Sequence, residues 1–506
     1  MRNILFCLAF LCLGASARAD VIPAPLFTDH AVLQRDKPIP VWGTAAAGEK
    51  IAVIFAGQTF EATADAGGKW RVDLPSQPAN AKPSDLVIKG NNTITLSDIV
   101  VGEVWLASGQ SNMELSVKNT YDSAIDIPAS ANFPLIRHIK IQQKVSDTPL
   151  ATAKGSWQVA GPATTGAFTA VGYYFARDLY ELLNVPVGII NSSWGGTQIE
   201  PWINAETLAG NPAFAPVGER WAQNVAAYPE RKAKFTADFA AWEAERDAAK
   251  AASAPFTKRA PGQPGLPSES AQKPSTLNNA MINPLVPYAL RGALWYQGES
   301  NAGRANEYHA LLSAMITSWR AQFGQGDFPF YWVQLANFTS KSPYDTETSW
   351  AFLREAQTQT LSLAHTGQTV TVDIGDSKDI HPRNKKDVGR RLARLALARD
   401  YGFKIADSGP VFAKAEREGA GFRVSFTATT GGLRSPLNTP LASFELAGED
   451  KVFHPADAVL EKDTVLVTSA AVPAPVAVRY AWCNAPVASL CNGEGLPAVP
   501  FRSDTW

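Results

Sequence analysis

Ile99-Val100-Val101-Gly102-Glu103-Val104-Trp105-Leu106-Ala107-Ser108-Gly109-Gln110-Ser111-Asn112-Met113-Glu114 is the stretch around which the rest of this chain is organised. Its first part, Ile99 to Ala107, is short, mostly apolar and rich in β-branched residues, which predicts a buried strand. The run ends in small and amide residues, where a sharp turn can lift a serine hydroxyl clear of a sheet. In an open α/β sheet, ligands bind at that carboxyl end of the strands. A serine by itself is a weak nucleophile, so Ser111 requires a base supplied from elsewhere in the chain. Taken alone, Ser108-Gly109-Gln110-Ser111-Asn112 reads equally well as a plain turn, because turns favour the same residue types.

On either side of this stretch the periodicity of the sequence differs. From Val21 to about Ser97 it alternates and is interrupted by turns, with strands expected at Val41-Trp42-Gly43, Lys50 to Phe55 and Lys69 to Leu74, and a hairpin turn at Ala66-Gly67-Gly68. After Val101, helical patterns alternate with apolar strands. Phe175, Leu179, Leu182 and Leu183 share a helical face, as do Tyr308, Leu312, Met315 and Trp319, and Val388, Leu392 and Leu395, with Gly402 as a stop. Between them, Val187 to Asn191, Gly292 to Tyr296, Phe328 to Leu335 and Gln368 to Asp373 read as strands. That alternation predicts a parallel sheet with helices on both faces. Pro201 to Thr276 interrupts it with an Ala/Glu/Lys-rich helical stretch, whose Phe235, Phe239 and Trp242 read as packing, and then an irregular Pro/Gly/Ser-rich loop. From about Lys404 the β pattern returns, with Phe422 to Phe426, Val465 to Ser469 and Val476 to Trp482 as strands and a tail, Leu496 to Trp506, that looks tied down.

The expected organisation is therefore a leader at 1–19, an N-terminal β domain at 20–100, an α/β catalytic domain at 101–403 with an insertion at 201–276, and a C-terminal β domain at 404–506. The two β segments are expected to be jelly-roll or Ig-like and to pack beside the sheet, in the jelly-roll case jointly. The 506 residues exceed what one compact core usually holds. Arg2, the apolar run Ile4 to Leu13 and the small residues Ala15, Ala17 and Ala19 predict a signal peptide cut after Ala19. The mature chain is then expected to be periplasmic or secreted, with no membrane anchor and no obligate protein partner. A net charge of −1 offers no field for nucleic acid. Beyond the leader only Cys483 and Cys491 remain, and in an oxidising compartment a short-loop disulfide is favoured over two buried thiols. There is neither zinc-type Cys/His spacing nor a Gly-rich phosphate loop.

Six histidines could serve as base: His30, His138, His309, His365, His381 and His454. His381 stands out because it follows the strand Gln368 to Asp373 after a polar loop that carries Asp376 and Asp379, with Pro382 just beyond. A catalytic imidazole needs an acceptor at its second ring nitrogen, and either aspartate is placed to provide one. Two more loops sit at matching strand ends, Asn191-Ser192-Ser193-Trp194-Gly195-Gly196-Thr197 and Trp295-Tyr296-Gln297-Gly298-Glu299-Ser300-Asn301. Acyl transfer needs donors aimed at a developing oxyanion, and backbone N–H groups near glycine or side-chain amides suit that need.

Gly109-Gln110-Ser111-Asn112-Met113, Trp194-Gly195-Gly196-Thr197, Tyr296-Gln297-Gly298-Glu299-Ser300-Asn301 and Asp379-Ile380-His381-Pro382 together resemble the sialate O-acetylesterase family of SGNH hydrolases. The resemblance extends to Val32-Leu33-Gln34-Arg35, Val478-Arg479-Tyr480-Ala481-Trp482 and Phe501-Arg502-Ser503-Asp504, nearly the whole chain beyond the leader. It implies a flavodoxin-like sheet and an esterase that removes O-acetyl groups from a carbohydrate, either an O-acetylated sialic acid or a hemicellulose such as xyloglucan or xylan. Ser111 would be the nucleophile and His381 the base, with no metal or organic cofactor. The oxyanion donors implied are the Ser111 amide, a Gly195 or Gly196 amide, and a side chain of the third loop, Gln297 or Asn301. The superfamily often carries aspartate three residues before its histidine, where this chain has Lys378; Asp379 is the favoured acid, with Asp376 or a main-chain carbonyl as alternatives. A non-catalytic carbohydrate-binding protein is the competing class, although it would have no need of both Ser111 and His381. A lipase or peptidase elbow would want glycine where Met113 stands.

Overall fold

The computed structural model describes residues 20–338, 348–436 and 439–506, so the expected leader lies outside the described residues. Its axis is one strand, Thr93–Gly109, in which every residue from Ile99 onward is buried. A strand covered on both faces carries a continuous apolar run rather than an alternation, which is what makes Ile99 to Ala107 recognisable. Val187–Ser193 lies parallel on one side of it and Gly292–Tyr296 parallel on the other. Beyond Val187–Ser193 come Ile136–Lys140, parallel, and Trp157–Val159, an antiparallel edge. Beyond Gly292–Tyr296 come Phe330–Val333 and Thr366–Thr369, both parallel.

Helices pack on both faces. Gly292 pairs with Trp105 and so points to the same side, whereas Trp295, three residues further on, points to the other. Trp105 meets Phe175 of the helix Ala170–Leu183, ring centres 5.0 Å apart, and Trp295 meets Trp319 of the helix Ala305–Phe323 at 5.8 Å. The helix Lys386–Arg399 packs closely on Ala170–Leu183, where a Cβ at Gly389 would lie 2.6 Å from that of Tyr174. It ends at Arg399 with Asp400 as its cap, short of the expected stop at Gly402.

The N-terminal segment is joined to this sheet. Asn80–Lys89 runs antiparallel to the first part of Thr93–Gly109, and Val32–Gln34 runs parallel to its middle. The apolar core of residues 21–101 is continuous with that of the α/β part. A boundary at residue 100 therefore falls inside a strand. Ala66 to Gly68 does form a turn, but the strands it joins, Gln58–Thr63 and Lys69–Leu74, lie in different sheets. The tight hairpin is instead Lys50–Phe55 with Gln58–Thr63.

The C-terminal segment has a core of its own. Val411–Glu418, Gly421–Thr427, Thr464–Thr468 and Asp457–Glu461 form one antiparallel sheet, and Phe453–Pro455, Phe444–Ala447, Ala477–Tyr480 and Phe501–Arg502 another. Among the described residues no strand of 20–100 pairs with one of 404–506, so the two β segments do not build a joint jelly roll. The tail is tied down by Asp504, whose two oxygens accept from Arg479 at 2.7 Å each, and by the Arg502–Glu355 pair. Cys483 and Cys491 are both buried and no disulfide joins them; Cys491 lies on a short strand beside the Arg434 carbonyl. The insertion is a helical excursion, with Tyr228–Ala251 its longest element. Its aromatic stripe stacks internally and on Phe256 of the returning loop, and Trp242 donates to the Lys258 carbonyl. No helix among the described residues is long and apolar enough to cross a membrane.

Candidate active site

Register brings the loops together. Gly109 stands opposite Ser193 on one side and Tyr296 on the other, so three strands end at one level. The ladder runs on into the turns: Gln110 N–H donates to the Tyr296 carbonyl and Trp194 N–H to the Gly109 carbonyl, both at 3.0 Å. Gly109 has φ +136°, and a Cβ there would lie 2.2 Å from the Tyr296 oxygen, so only glycine lets the chain turn this close to its neighbour. Ser111 then opens a one-turn helix, Ser111–Glu114.

His381 reaches this turn from the loop after Thr366–Thr369. Its Nε2 lies 2.7 Å from Ser111 Oγ. Burial pushes the imidazole below its ordinary value, and the Lys385 charge pushes it the same way against the pull of Asp379. A neutral imidazole in contact with a serine hydroxyl is arranged to accept its proton. Three of the other five histidines are engaged elsewhere: His30 with Asp98, His309 with Thr360, and His138 in full burial, stacked on Phe168 and pushed down to about 3.

Asp379 is placed differently from expectation. Its Oδ1 accepts from the backbone N–H of His381 at 2.9 Å, and Asp376 Oδ1 accepts from that of Lys378 at 2.8 Å. Each caps its own turn, and among the described residues no hydrogen bond joins either carboxylate to the imidazole. Asp379 thus acts on the ring through its charge and through the turn it fixes.

The third loop is also a correction. Gln297 is fully buried; its Nε2 donates to Asn301 Oδ1 at 2.7 Å and to the Thr197 carbonyl at 3.2 Å, and its Oε1 accepts from Tyr308 at 2.7 Å. With both amide protons engaged, Gln297 has none to offer an oxyanion. Asn301, equally buried, donates to Glu200 and accepts from the Ile199 N–H. These amides tie the second and third loops together rather than face the serine.

The second loop lies against the nucleophile. A Cβ built at Gly195 would sit 3.3 Å from Ser111 Cβ. The Gly195 N–H is engaged, donating to Glu114 Oε2 at 2.8 Å, and Glu114 also accepts from Lys140 and Gln143. Gly196 follows with φ +74° and open space where a Cβ would be. Its carbonyl is held by Gln272 at 2.7 Å and Ser300 at 3.0 Å. Among the described residues neither the Gly196 nor the Ser111 N–H has an acceptor within the protein. Sequence reasoning assigned no role to Asn112, Glu114, Glu299 or Lys385, although three of them stand inside the quoted motifs and Lys385 follows His381 by four residues.

Comparison with known proteins supplies the family. The sequence profile of the family described as "Carbohydrate esterase, sialic acid-specific acetylesterase" matches residues 101–226 and 272–398, and its gap falls on the helical excursion. The sialate O-acetylesterase of Rattus norvegicus is 30% identical, over 78% of this chain and 76% of that protein. Its counterpart in Mus musculus is 28% identical, over 94% of this chain and 93% of that protein. Among solved structures, a carbohydrate acetylesterase from Xanthomonas citri is 38% identical with a TM-score of 0.81, covering 96% of this chain and all of that one.

Proposed function

The chain belongs to the sialic acid-specific acetylesterase family of carbohydrate esterases, and from that premise we propose that it removes O-acetyl groups from a carbohydrate through an acetyl-enzyme. It is a carboxylic ester hydrolase. The observation that carries the mechanistic reading is the 2.7 Å contact between Ser111 Oγ and His381 Nε2 at the aligned carboxyl ends of the sheet. The order of the parallel strands supports an SGNH, flavodoxin-like unit. Reading Val187–Ser193, Thr93–Gly109, Gly292–Tyr296, Phe330–Val333 and Thr366–Thr369 across the sheet gives 2-1-3-4-5 by chain position, with Ile136–Lys140 added outside.

In this reading His381 takes the Ser111 proton as Oγ attacks the acetyl carbonyl carbon. The Ser111 and Gly196 N–H groups receive the oxyanion of the tetrahedral intermediate. The Cacyl–O bond to the sugar breaks as His381 returns the proton to the departing sugar oxygen. Water, deprotonated by the same imidazole, attacks the acetyl-enzyme and releases acetate and the serine. Asp379 favours the imidazolium by charge across the turn. The substrate proposed is an O-acetylated sialic acid or an acetylated hemicellulose such as xyloglucan or xylan, met outside the cytoplasm after export and cleavage following Ala19.

The test is acetate release by wild type and Ser111→Ala from a chromogenic acetyl ester, an O-acetylated sialic acid and acetylated xyloglucan oligosaccharides. Serine-dependent release from one sugar class is expected and names the substrate. Undiminished release by Ser111→Ala overturns the assignment.

A further inference from the structure

Asn112 follows the proposed nucleophile and is buried with its amide saturated. Its Nδ2 donates to Glu299 Oε1 at 2.5 Å and to the Ile380 carbonyl at 2.9 Å, and its Oδ1 accepts from Lys385 Nζ at 2.6 Å. The partners fix its orientation: a flipped amide would set oxygen against two acceptors and protons against an ammonium. Ile380 precedes His381, so one side chain fastens the turn that carries the serine to the turn that carries the histidine. Lys385 is wholly buried, with Nζ 5.4 Å from the centre of the Tyr296 ring. An ammonium is expensive in such a place unless it is needed or compensated. Burial pushes Lys385 down to about 7, against the pull of Glu299 and Asp379. Glu299 is pushed up by burial, and its Oε2 is buried without a hydrogen-bond partner among the described residues.

We propose that Asn112, Lys385 and Glu299 are positioning residues for His381: Asn112 sets the gap between the two turns, and the Lys385 charge sets which protonation state of the imidazole the site holds. The inference rests on Ser111 and His381 acting as proposed above. The charged groups facing His381 are Asp379 in its own turn and Lys385 at the start of the next helix. Glu299, from the third loop, reaches Lys385 through Asn112. Glu114, from the nucleophile turn, is engaged by Gly195, Gln143 and Lys140. Lys385 disfavours the imidazolium and so keeps the base form available at lower pH, while Asp379 favours the imidazolium. The balance lies between two residues of opposite charge on either side of His381.

The experiment is the pH profile of kcat/KM for a chromogenic acetyl ester, in wild type, Lys385→Gln and Lys385→Arg. Glutamine keeps a donor for Asn112 Oδ1 and removes the charge; arginine keeps the charge. Losing the charge raises the imidazole, so the acid limb of Lys385→Gln is expected to move up by about half a pH unit, a roughly threefold loss on that limb relative to the plateau. Lys385→Arg is expected to leave the limb in place. A lower plateau with an unmoved limb in Lys385→Gln would make Lys385 a packing residue and overturn the inference. The wild type gives a readout independent of any variant's folding. The His381 Cε1–H shift should follow the loss of the Lys385 charge as well as the imidazole's own titration, and a shift indifferent to the Lys385 transition, read at the lysine's own side-chain resonance, overturns the coupling. Failure of this inference is distinguishable from failure of the esterase reading. An active Ser111→Ala sinks both, whereas an inactive Ser111→Ala with an unmoved Lys385→Gln limb sinks only the positioning role.

Discussion

Two polar side chains on or just beyond the same strand have opposite fates. Glu103, in the middle of Thr93–Gly109, is wholly buried, and its carboxylate accepts from Arg35 at 2.5 Å and Gln34 at 3.2 Å. Ser111, two residues past the strand's end, is partly exposed, and among the described residues its hydroxyl meets a single group able to take its proton, His381. Glu103 is saturated by partners that came with the N-terminal segment, and it holds that segment to the sheet. Among the described residues, the partner of the Ser111 hydroxyl is a group able to accept a proton. Whether a buried or half-buried polar group serves folding or chemistry is thus decided by what its partner can do with a proton, rather than by burial alone.

The contrast predicts separable losses. Ser111→Ala or His381→Ala should lower kcat by a factor on the order of 10⁴ to 10⁶ and leave the thermal unfolding midpoint nearly unchanged. Acetate release and a melting curve on the same preparation check this, and a large drop in the midpoint would place Ser111 with Glu103 as a structural group. Glu103→Gln should do the reverse. Removing one member of a buried ion pair costs about 3 kcal/mol, seen as a lowered unfolding midpoint, while kcat of the folded enzyme stays within about twofold.

A smaller effect separates charge from contact at the base. His381 must be neutral to accept a proton, and it is held below its ordinary value near 6.5. Activity should therefore be complete above that pH and fall as pH drops through the lowered value. Asp379→Asn keeps an oxygen for the His381 N–H but removes the charge that favours the imidazolium. Its acid limb should move to lower pH, with a loss in kcat of about tenfold or less, far short of the ~10⁴ seen where an aspartate grips the imidazole itself. A 10⁴-fold loss would show that Asp379 bonds the ring during turnover. The smallest effect concerns the C-terminal segment: a thiol reductant should leave the unfolding midpoint where it is, because Cys483 and Cys491 are not joined. A lowered midpoint would mean that the two do pair in solution.

Much of this was open to reading because it depends on local pattern. A strand buried on both faces must be an apolar run, as Ile99 to Ala107 is, and a helix lying on a sheet must repeat its apolar face, as Tyr308, Leu312, Met315 and Trp319 do. Ser111 and His381 announce themselves by residue type and by loops at strand ends. What stayed hidden depends on which partner each side chain turns toward. Nothing local to Gln297 reveals that Thr197, Asn301 and Tyr308 take up its amide, and the spacing of Asp379 looks right for an imidazole until its carboxylate is found on a backbone N–H. Lys385 stands in a run of Arg383, Asn384, Lys386 and Asp387 that reads as a solvated face, yet it is the member turned inward. The attachment of residues 21–89 to the sheet was illegible for a similar reason, since alternation forecasts a strand but not its neighbour.

The undivided strand Thr93–Gly109 also bears on inheritance. The family profile begins its match at residue 101, partway along it, so the edge of that profile is not an edge of the structure. An exchange of N-terminal parts between relatives at that point would cut inside the strand and separate Glu103 from Gln34 and Arg35 of the segment it holds. A piece that runs unbroken from Val32 through Ser111 keeps that ion pair whole, and the serine then travels with the β segment that precedes it.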